Sequence, residues 1–455
     1  MSRIDTIAAI ATAQKASAVG IVRISGNDAE KILSALFTPA SGQSELPPRR
    51  MIYGTVHNRD GIVLDHALAV RFSAQHSYTG EESAELHCHG SPVVLNEVLS
   101  ACFAAGARQA KAGEFTKRAF LSGRMDLTEA EAVIDLIDAE TAEAARNAAL
   151  QLDGALSRLI GKSYDALLDI TSRFYAVVDY PDEDIEDLTR EQTESALTET
   201  ETALSRLLAT YGRGRILKSG AATAIIGAPN AGKSSLLNAL VGYDRAIVTD
   251  IAGTTRDTVE EKCVAGGVLL RLIDTAGIRE TDDTVEKIGV ERSRRAVEQA
   301  DLVLVLVDGS RKPTDEDTAI LRLAIESGKP WIFVQTKKDL TKNAVSLGVI
   351  GDGAGKSVAI SAVTGEGLSE LEALIAASFP RGEVPEGTLL TNARQKDAAQ
   401  RALNSVHAAK DALDLSPDAV LTEAEAAMTA LGELTGRTAR EDMVARIFER
   451  FCVGK

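Results

Sequence analysis

Cysteine is scarce and unpaired in this chain. Its four cysteines, Cys88, Cys102, Cys263 and Cys452, show no pair spacing, which argues against a disulfide framework and predicts a reducing, cytoplasmic compartment. No stretch reaches the roughly 18 consecutive apolar residues of a membrane span, so no membrane partner is expected. Basic residues are in deficit: 50 Lys and Arg against 66 Asp and Glu leave a net charge of -16. Neutralising phosphates needs a basic surface, so a general nucleic-acid binder is excluded, and any RNA must be held by a local patch or by a partner. Low-complexity segments and internal repeats are absent. What is present, 45% hydrophobic and 25% charged residues over 455 positions, is ordinary globular composition and too long for one core.

The pattern along the chain predicts a multidomain α/β protein. Residues 1–122 mix short strands and helices in an α+β pattern, with strand candidates at Gly20 to Ile24, Met51 to His57 and Ala67 to Phe72. Helices are expected from Asp28 to Leu36 and from Pro92 to Gly106, the latter capped by Ser91. Ile7 to Ala13 faintly imitates a secretion signal, but Asp5 interrupts its start and a buried strand is the better reading. Residues 123–217 read as long helices, opened by Thr128-Glu129-Ala130-Glu131 as a capping box. Residues 218–380 read as a separate α/β domain, and 381–455 are helical again, so this domain is inserted in a helical one. His87-Cys88-His89 has no second ligand cluster nearby and reads as a strand end rather than a metal site.

The octapeptide Gly227 to Ser234 matches the phosphate loop G-x-x-x-x-G-K-[ST] after an apolar strand and before a helix. Asn230, Ala231, Gly232, Lys233, Ser234 and Ser235 turn N–H groups and one ammonium toward an anion, with the Ser234 hydroxyl placed for Mg²⁺. Other nucleotide-contacting segments follow in order. Gly253-Thr254-Thr255-Arg256-Asp257 is a polar loop of the kind that closes over the γ-phosphate, with Thr255 the second Mg²⁺ ligand, and Thr249, Asp250, Ile251 and Ala252 before it belong to the same GTP-binding set. Asp274-Thr275-Ala276-Gly277 ends the strand Val268 to Ile273. Thr336-Lys337-Lys338-Asp339 follows a further strand, and Asp339 accepts from two neighbouring N–H donors on a guanine edge. Thr336 stands where asparagine is usual, and its hydroxyl can tie the base loop to the phosphate loop. Ser361 and Ala362 complete the set, which is a GTPase signature, so residues 218–380 are expected to form a Ras-like P-loop GTPase domain inserted in the helical one. A second glycine-rich stretch, Gly351 to Ser357, lacks the first glycine, which would be Ile350.

Hydrolysis is harder to assign. Ras-like proteins place a glutamine after Asp-x-x-Gly to orient water, and here that residue is Ile278. A carboxylate of the acidic stretch Glu280 to Glu286, or Arg279 acting in trans, are the alternatives. At the other end of the chain, Phe451-Cys452-Val453-Gly454-Lys455 carries a cysteine fourth from the last residue. Gly454 in an aliphatic slot, a final lysine and no polybasic stretch speak against prenylation, leaving Cys452 as a functional thiol.

With these pieces assembled, the chain resembles the MnmE (TrmE) family of tRNA-modification GTPases over nearly its full length. The resemblance is carried by Gly20 to Gly26, Tyr78 to Glu81, Glu85 to Gly90, Gly113 to Leu121, Met125 to Ala132, the phosphate loop, Thr249 to Asp257 and the Cys-x-Gly-Lys end. It implies a homodimer joined through N-terminal domains that bind 5-formyl- or 5,10-methylene-tetrahydrofolate, with contacts at Arg23, Glu85, Arg124 and Lys455. It also implies K⁺ bound by Asn230, Thr249, Ile251 and Thr254, Mg²⁺ held by Ser234 and Thr255, and Glu286 orienting water. Cys452 matches a tail cysteine of proposed catalytic role. With an FAD- and NADH-dependent MnmG (GidA) partner, the family builds a carboxymethylaminomethyl-type group on C5 of the wobble uridine of certain tRNAs. Two other readings stand beside it: a ribosome-assembly GTPase switch, and a one-carbon transferase with a regulatory GTPase domain.

Overall fold

A computed structural model describes residues 5–42, 45–179, 189–243, 261–273, 286–341, 356–379, 385–438, 447–448, 451 and 453–454. The chain forms two compact units. One comprises Met1–Ile134, Gln151–Leu197 and Asn404–Lys455, the other Asp135–Leu150 and Thr198–Leu403. Among the described residues no helix is long and apolar enough to cross a membrane.

The first unit holds a seven-stranded sheet. Its strands are β1 (Ile7–Ile10), β2 (Ser17–Ser25), β3 (Phe37–Pro39), β4 (Ile52–His57), β5 (Val63–Phe72), β6 (Ser83–Gly90) and β7 (Arg108–Gln109), in the order β3-β4-β5-β6-β2-β1-β7. All neighbours are antiparallel except β1 and β7. Alternation with a period of two sends Val22, Ile24, Ala84 and Leu86 into a core with Ile32, Leu33, Leu95 and Val98 of the helices Ala29–Leu36 and Pro92–Ala104. The opposite face carries Arg23 and Glu85, directly paired in the β2–β6 register. β1 is buried along its whole length, as the strand reading of Ile7 requires. Ser91 stands at the N-cap of its helix, yet its side chain makes no capping bond.

The capping box of the helix Leu127–Ile137 lies two residues earlier than expected. Asp126 Oδ1 accepts from the Glu129 amide at 2.9 Å, and Glu129 Oε2 accepts from the Asp126 amide at 2.8 Å. Thr128, already helical, donates instead to Asp126 Oδ1 at 2.8 Å. Both Asp126 and Thr128 satisfy the capping pattern by type, and the earlier start lets Leu127 reach the apolar cluster it forms with Ala130, Val133, Phe448 and Phe451. Beyond that cluster Val453 bridges Ala112 in antiparallel fashion. Gly454 then sits at φ +101, so close to β1 that an added Cβ would lie 2.3 Å from the Ile10 carbonyl oxygen. Two long helices, Ala155–Asp179 and Pro417–Thr435, complete the unit, with Tyr175 donating to Glu425 at 2.8 Å.

The second unit is built around a six-stranded sheet of β8 (Ala221–Gly227), β9 (Glu261–Ala265), β10 (Val268–Ile273), β11 (Leu302–Asp308), β12 (Trp331–Thr336) and β13 (Lys356–Ala359), in the order β13-β12-β11-β8-β10-β9. Only β9 runs antiparallel to its neighbour. Near-continuous apolar strands are what a parallel sheet covered on both faces demands. One face packs Ile225, Leu304 and Ile332 against Leu236, Leu240 and Leu371. The other packs Ile226, Val305 and Phe333 against Val297 and Leu321. The helices involved are Lys233–Tyr243 and Leu368–Ala376 on the first face, Glu286–Gln299 and Asp315–Glu326 on the second. β9 and β10 are zipped over five pairs around Gly266-Gly267, both at positive φ as a tight hairpin turn requires. β13 begins at Lys356, so Lys356 and Ser357 of the false phosphate loop are strand residues paired with Ile332 and Phe333.

Candidate active site

The order of the parallel strands reverses at β8, whose neighbours are β10 on one side and β11 on the other. Doubly wound sheets place ligands beyond the carboxyl ends of the strands at such a point. There the chain leaves β8 through Asn230, at a left-handed φ of +60, and Gly232, at +91. Lys233 opens the helix and folds its ammonium back, donating to the carbonyls of Gly227 at 2.7 Å and Ala228 at 3.0 Å. Burial lowers its pKa, opposed by the charge of Glu316. A half-buried cation held by carbonyls in a loop of this shape fits an anion, because phosphate would offset the desolvation that carbonyl dipoles offset only in part. Ser234 and Ser235 lie exposed in the first helical turn.

The residues expected to read the base stand at the same edge. Thr336, 4% exposed, donates its hydroxyl to the Ala231 carbonyl at 2.8 Å. The threonine therefore does tie the two loops together. Lys337 is left-handed at φ +56 and pairs with Asp308 at 2.6 Å. Asp339 follows in a short 3₁₀ turn, Lys338–Leu340. The Lys338 amide donates to the Ile360 carbonyl at 2.9 Å, which brings Ser361 and Ala362 beside the same loop, and Ser361 Oγ accepts from the Thr364 amide at 3.2 Å. Thr249, Asp250, Ile251, Ala252, Gly253, Thr254 and Thr255 lie outside the described residues, as do Asp274, Thr275, Ala276 and Gly277. Glu286 begins its helix, with its side chain outside the described part.

In the first unit Arg23 Nε donates to Glu85 Oε1 at 2.9 Å, and His87 Nε2 lies 3.0 Å from Glu85 Oε2. Burial alone would raise the Glu85 carboxyl, but His87 and Arg23 outweigh it and hold its pKa below the usual value. The Arg23 guanidinium stands over two aromatic rings, 5.5 Å from the centre of Tyr78 and 5.7 Å from that of Phe115. Arg124 joins the group indirectly, donating Nε and Nη2 to the Ser77 carbonyl at 3.2 and 2.9 Å. Cys452 and Lys455 lie outside the described residues. Their chain neighbours Val453 and Gly454 are docked against Ala112 and Ile10, one residue from the Ala9–Arg23 pair of the β1–β2 ladder.

Two family profiles match: that of the GTP-binding protein TrmE N-terminus over residues 6–124, and that of the MnmE helical domain over 127–452. The tRNA modification GTPase MnmE of Roseiflexus sp. (strain RS-1) is 45% identical, covering 99% of this chain and 99% of the relative. The proteins of that description from Acetivibrio thermocellus, 42% identical over 100% of both chains, and Laribacter hongkongensis, 45% identical over 99% of both, are similar. The chain belongs to the MnmE family of tRNA modification GTPases. It is accordingly a GTP hydrolase, and GTP with Mg²⁺ is the ligand its phosphate loop is shaped for.

The MnmE-family resemblance left one feature of the N-terminal domain unassigned. Beneath the Tyr78 loop runs a charged network in which Arg118, 10% exposed, meets Glu81 at 3.0 Å, Asp5 at 2.8 Å and Glu114 at 3.1 Å. Arg108 also pairs with Glu114 at 2.5 Å. Ser25 donates to Glu81 at 2.8 Å and lies 2.8 Å from Thr79 Oγ1, so the network holds the loop that carries Tyr78. Only the i,i+4 spacing of Glu114 and Arg118 is readable in the sequence; their other partners come from β7, the 77–82 loop and residue 5. Burial would raise the Glu114 pKa, but hydrogen bonds from Arg108, the Lys111 amide and Arg118 pull it from 4.5 down to about 2. A carboxyl depressed on folding stabilises the protein above its ordinary pKa and loses that contribution as pH falls toward the folded value. Glu114→Gln is expected to lower Tm at pH 7 by roughly 3–6 °C. Its Tm should fall less steeply than that of the parent protein between about pH 4.5 and about pH 2. Calorimetry giving parallel profiles would remove this role from Glu114.

Proposed function

We propose that this MnmE-family chain is a potassium-activated GTPase that modifies tRNA. As a homodimer, and with an FAD- and NADH-dependent MnmG (GidA) partner, it installs a carboxymethylaminomethyl-type group on C5 of the wobble uridine of certain tRNAs. The carbon comes from 5-formyl- or 5,10-methylene-tetrahydrofolate. The observation behind the reading is the likeness over 99% of the chain to relatives named tRNA modification GTPase MnmE. The domain limits 1–122, 123–217, 218–380 and 381–455, and a cytoplasmic location, belong to the same reading.

The residue roles are those the family resemblance implies, and the chemistry of the side chains suits them. Glu85 accepts from the paired N–H donors of a pterin edge, while Arg23, Arg124 and Lys455 supply positive charge for its glutamate tail. The Arg23–Glu85 pair fits this because both groups are partly exposed, at 22% and 16%, beside two aromatic rings. Cys452 supplies a thiol. In the GTPase domain Ser234 and Thr255 hold Mg²⁺, and Asn230, Thr249, Ile251 and Thr254 hold K⁺. That cation adds positive charge beside the β- and γ-phosphates, and Glu286 orients water where Ile278 cannot. The net charge of -16 accords with tRNA being held mainly by the partner.

The test joins two measurements. Deleting the gene is expected to remove the aminomethyl-type wobble uridine from total tRNA, seen by nucleoside mass spectrometry, and the purified protein is expected to hydrolyse GTP faster in KCl than in NaCl. An unchanged nucleoside profile would turn the reading toward a ribosome-assembly switch. Equal rates in the two salts would remove the K⁺ ligands.

A further inference from the structure

Beyond its pair with Lys337, the turn that ends β11 has no part in the site as assigned so far, yet it holds the loop Thr336 to Asp339 at both Thr336 and Lys337. Asp308 is 6% exposed. Its Oδ2 accepts from Lys337 Nζ at 2.6 Å, and its Oδ1 accepts from the Ser310 amide at 2.9 Å and the Ser310 hydroxyl at 2.6 Å. The carboxylate is thus fixed from one side by its own turn and reaches across to Lys337 with the other. Next to it, the Gly309 amide donates to the Thr336 carbonyl at 3.0 Å. A Cβ at Gly309 would lie 2.7 Å from that oxygen, so the approach admits only glycine. Val307, one residue earlier, offers its carbonyl to Thr336 Oγ1 at 3.3 Å.

Lys337 is the residue at which the chain must change direction. It is left-handed at φ +56, a conformation that a side-chain-bearing residue holds only when its surroundings impose it. Directly after it comes the 3₁₀ turn carrying Asp339, closed by the Leu340 amide on the Lys337 carbonyl at 3.0 Å. The orientation of Asp339 is therefore set by the torsions of Lys337, and the ion pair to Asp308 restrains those torsions from the side-chain end. The same contact holds Asp308 ionised: burial would raise its pKa, but hydrogen bonds from Lys337 and Ser310 outweigh burial and lower it.

We infer that Asp308, braced by Ser310, is a positioning residue for guanine selection: it locks Lys337 so that Asp339 presents both carboxylate oxygens to the base. The inference rests on the assignment of Thr336 to Asp339 as the base-reading loop. A carboxylate held loosely still meets one N–H donor but meets two less often. The loss should therefore be larger for guanine, which offers an N1–H and a 2-amino group, than for hypoxanthine, which offers the N1–H alone.

Calorimetric titration of the full-length protein with GDP and with IDP tests this. Asp308→Asn is expected to weaken GDP about tenfold, as loss of a charge-assisted hydrogen bond does, and to narrow the GDP-to-IDP affinity ratio about threefold. Lys337→Met should weaken GDP comparably, and the double variant should be no weaker than either single one. Ser310→Ala, a milder change that keeps the charge, should shift the ratio in the same direction by about twofold. General damage to the domain would lower binding stoichiometry or weaken both nucleotides equally, leaving the ratio untouched. Asp339→Asn serves as the control and should move preference from guanine to xanthine nucleotides. If it does while Asp308→Asn and Ser310→Ala leave the GDP-to-IDP ratio unchanged, the positioning role is wrong and the base-reading assignment survives. If Asp339→Asn leaves the preference with guanine, the base-reading assignment falls and takes the positioning role with it.

Discussion

Replacing Lys233 with alanine is expected to lower GTP turnover by about a hundredfold or more while leaving the protein folded. The ammonium is the one charged group the phosphate loop itself supplies, and it rests on the Gly227 and Ala228 carbonyls. Phosphoryl transfer spreads negative charge over the γ-phosphate and the leaving oxygen, so a fixed cation there is worth more in the transition state than in the ground state. Structure loses less. Lys233 is only half-buried and the two carbonyls sit at the edge of a loop, where water replaces the ammonium. Single-turnover hydrolysis and thermal melting measure the two effects separately. Turnover within threefold of the parent protein would mean that the catalytic charge comes from somewhere other than this loop.

Gly454→Val is expected to abolish wobble-uridine modification and leave GTP hydrolysis intact. At φ +101 the backbone is in a region that a β-branched residue all but never adopts, at a cost of about 1–3 kcal/mol. The steric term adds to this: a Cβ 2.3 Å from the Ile10 carbonyl oxygen forces the tail off β1, since β1 is buried and paired with β2 over all four of its residues. Phe448 and Phe451 would stay in their apolar cluster, so the damage is confined to the last residues. The role proposed for Cys452 and Lys455 depends on this docking of their chain neighbours Val453 and Gly454. Nucleoside analysis of a strain carrying only this variant, beside a GTPase assay of the purified protein, gives both readouts. Fully modified tRNA would show that the docked tail has no part in the chemistry.

Much of the nucleotide site was legible because each part of it is local. A P-loop is eight consecutive residues, and β8, β10 and β12 announce themselves as apolar runs because a doubly covered parallel sheet buries both faces of every strand. Thr336 could even be given its partner loop from its position alone, and its bond to Ala231 bears this out. The first unit was harder to read. The helix start at Asp126 was misplaced by two residues because threonine and aspartate cap equally well and only packing of Leu127 separates them. Arg23 and Glu85 lie 62 positions apart, and their meeting depends on an antiparallel register that no short motif specifies. For the same reason the Arg118 network and Asp308 carried no signal: an aspartate closing an apolar strand looks like any strand terminator until the chain that returns beside it is known.

The hairpin of β9 and β10 has one mechanical consequence for the GTPase domain. It leads directly from the segment that ends at residue 260 into the one that begins at residue 274, the two stretches whose sequences are suited to sense the γ-phosphate. Five in-register rungs and a two-glycine bend leave no slack between them. A pull at Glu261 is therefore delivered at Leu272 through the facing rung rather than along the intervening chain, so the two open ends of the hairpin move as one body.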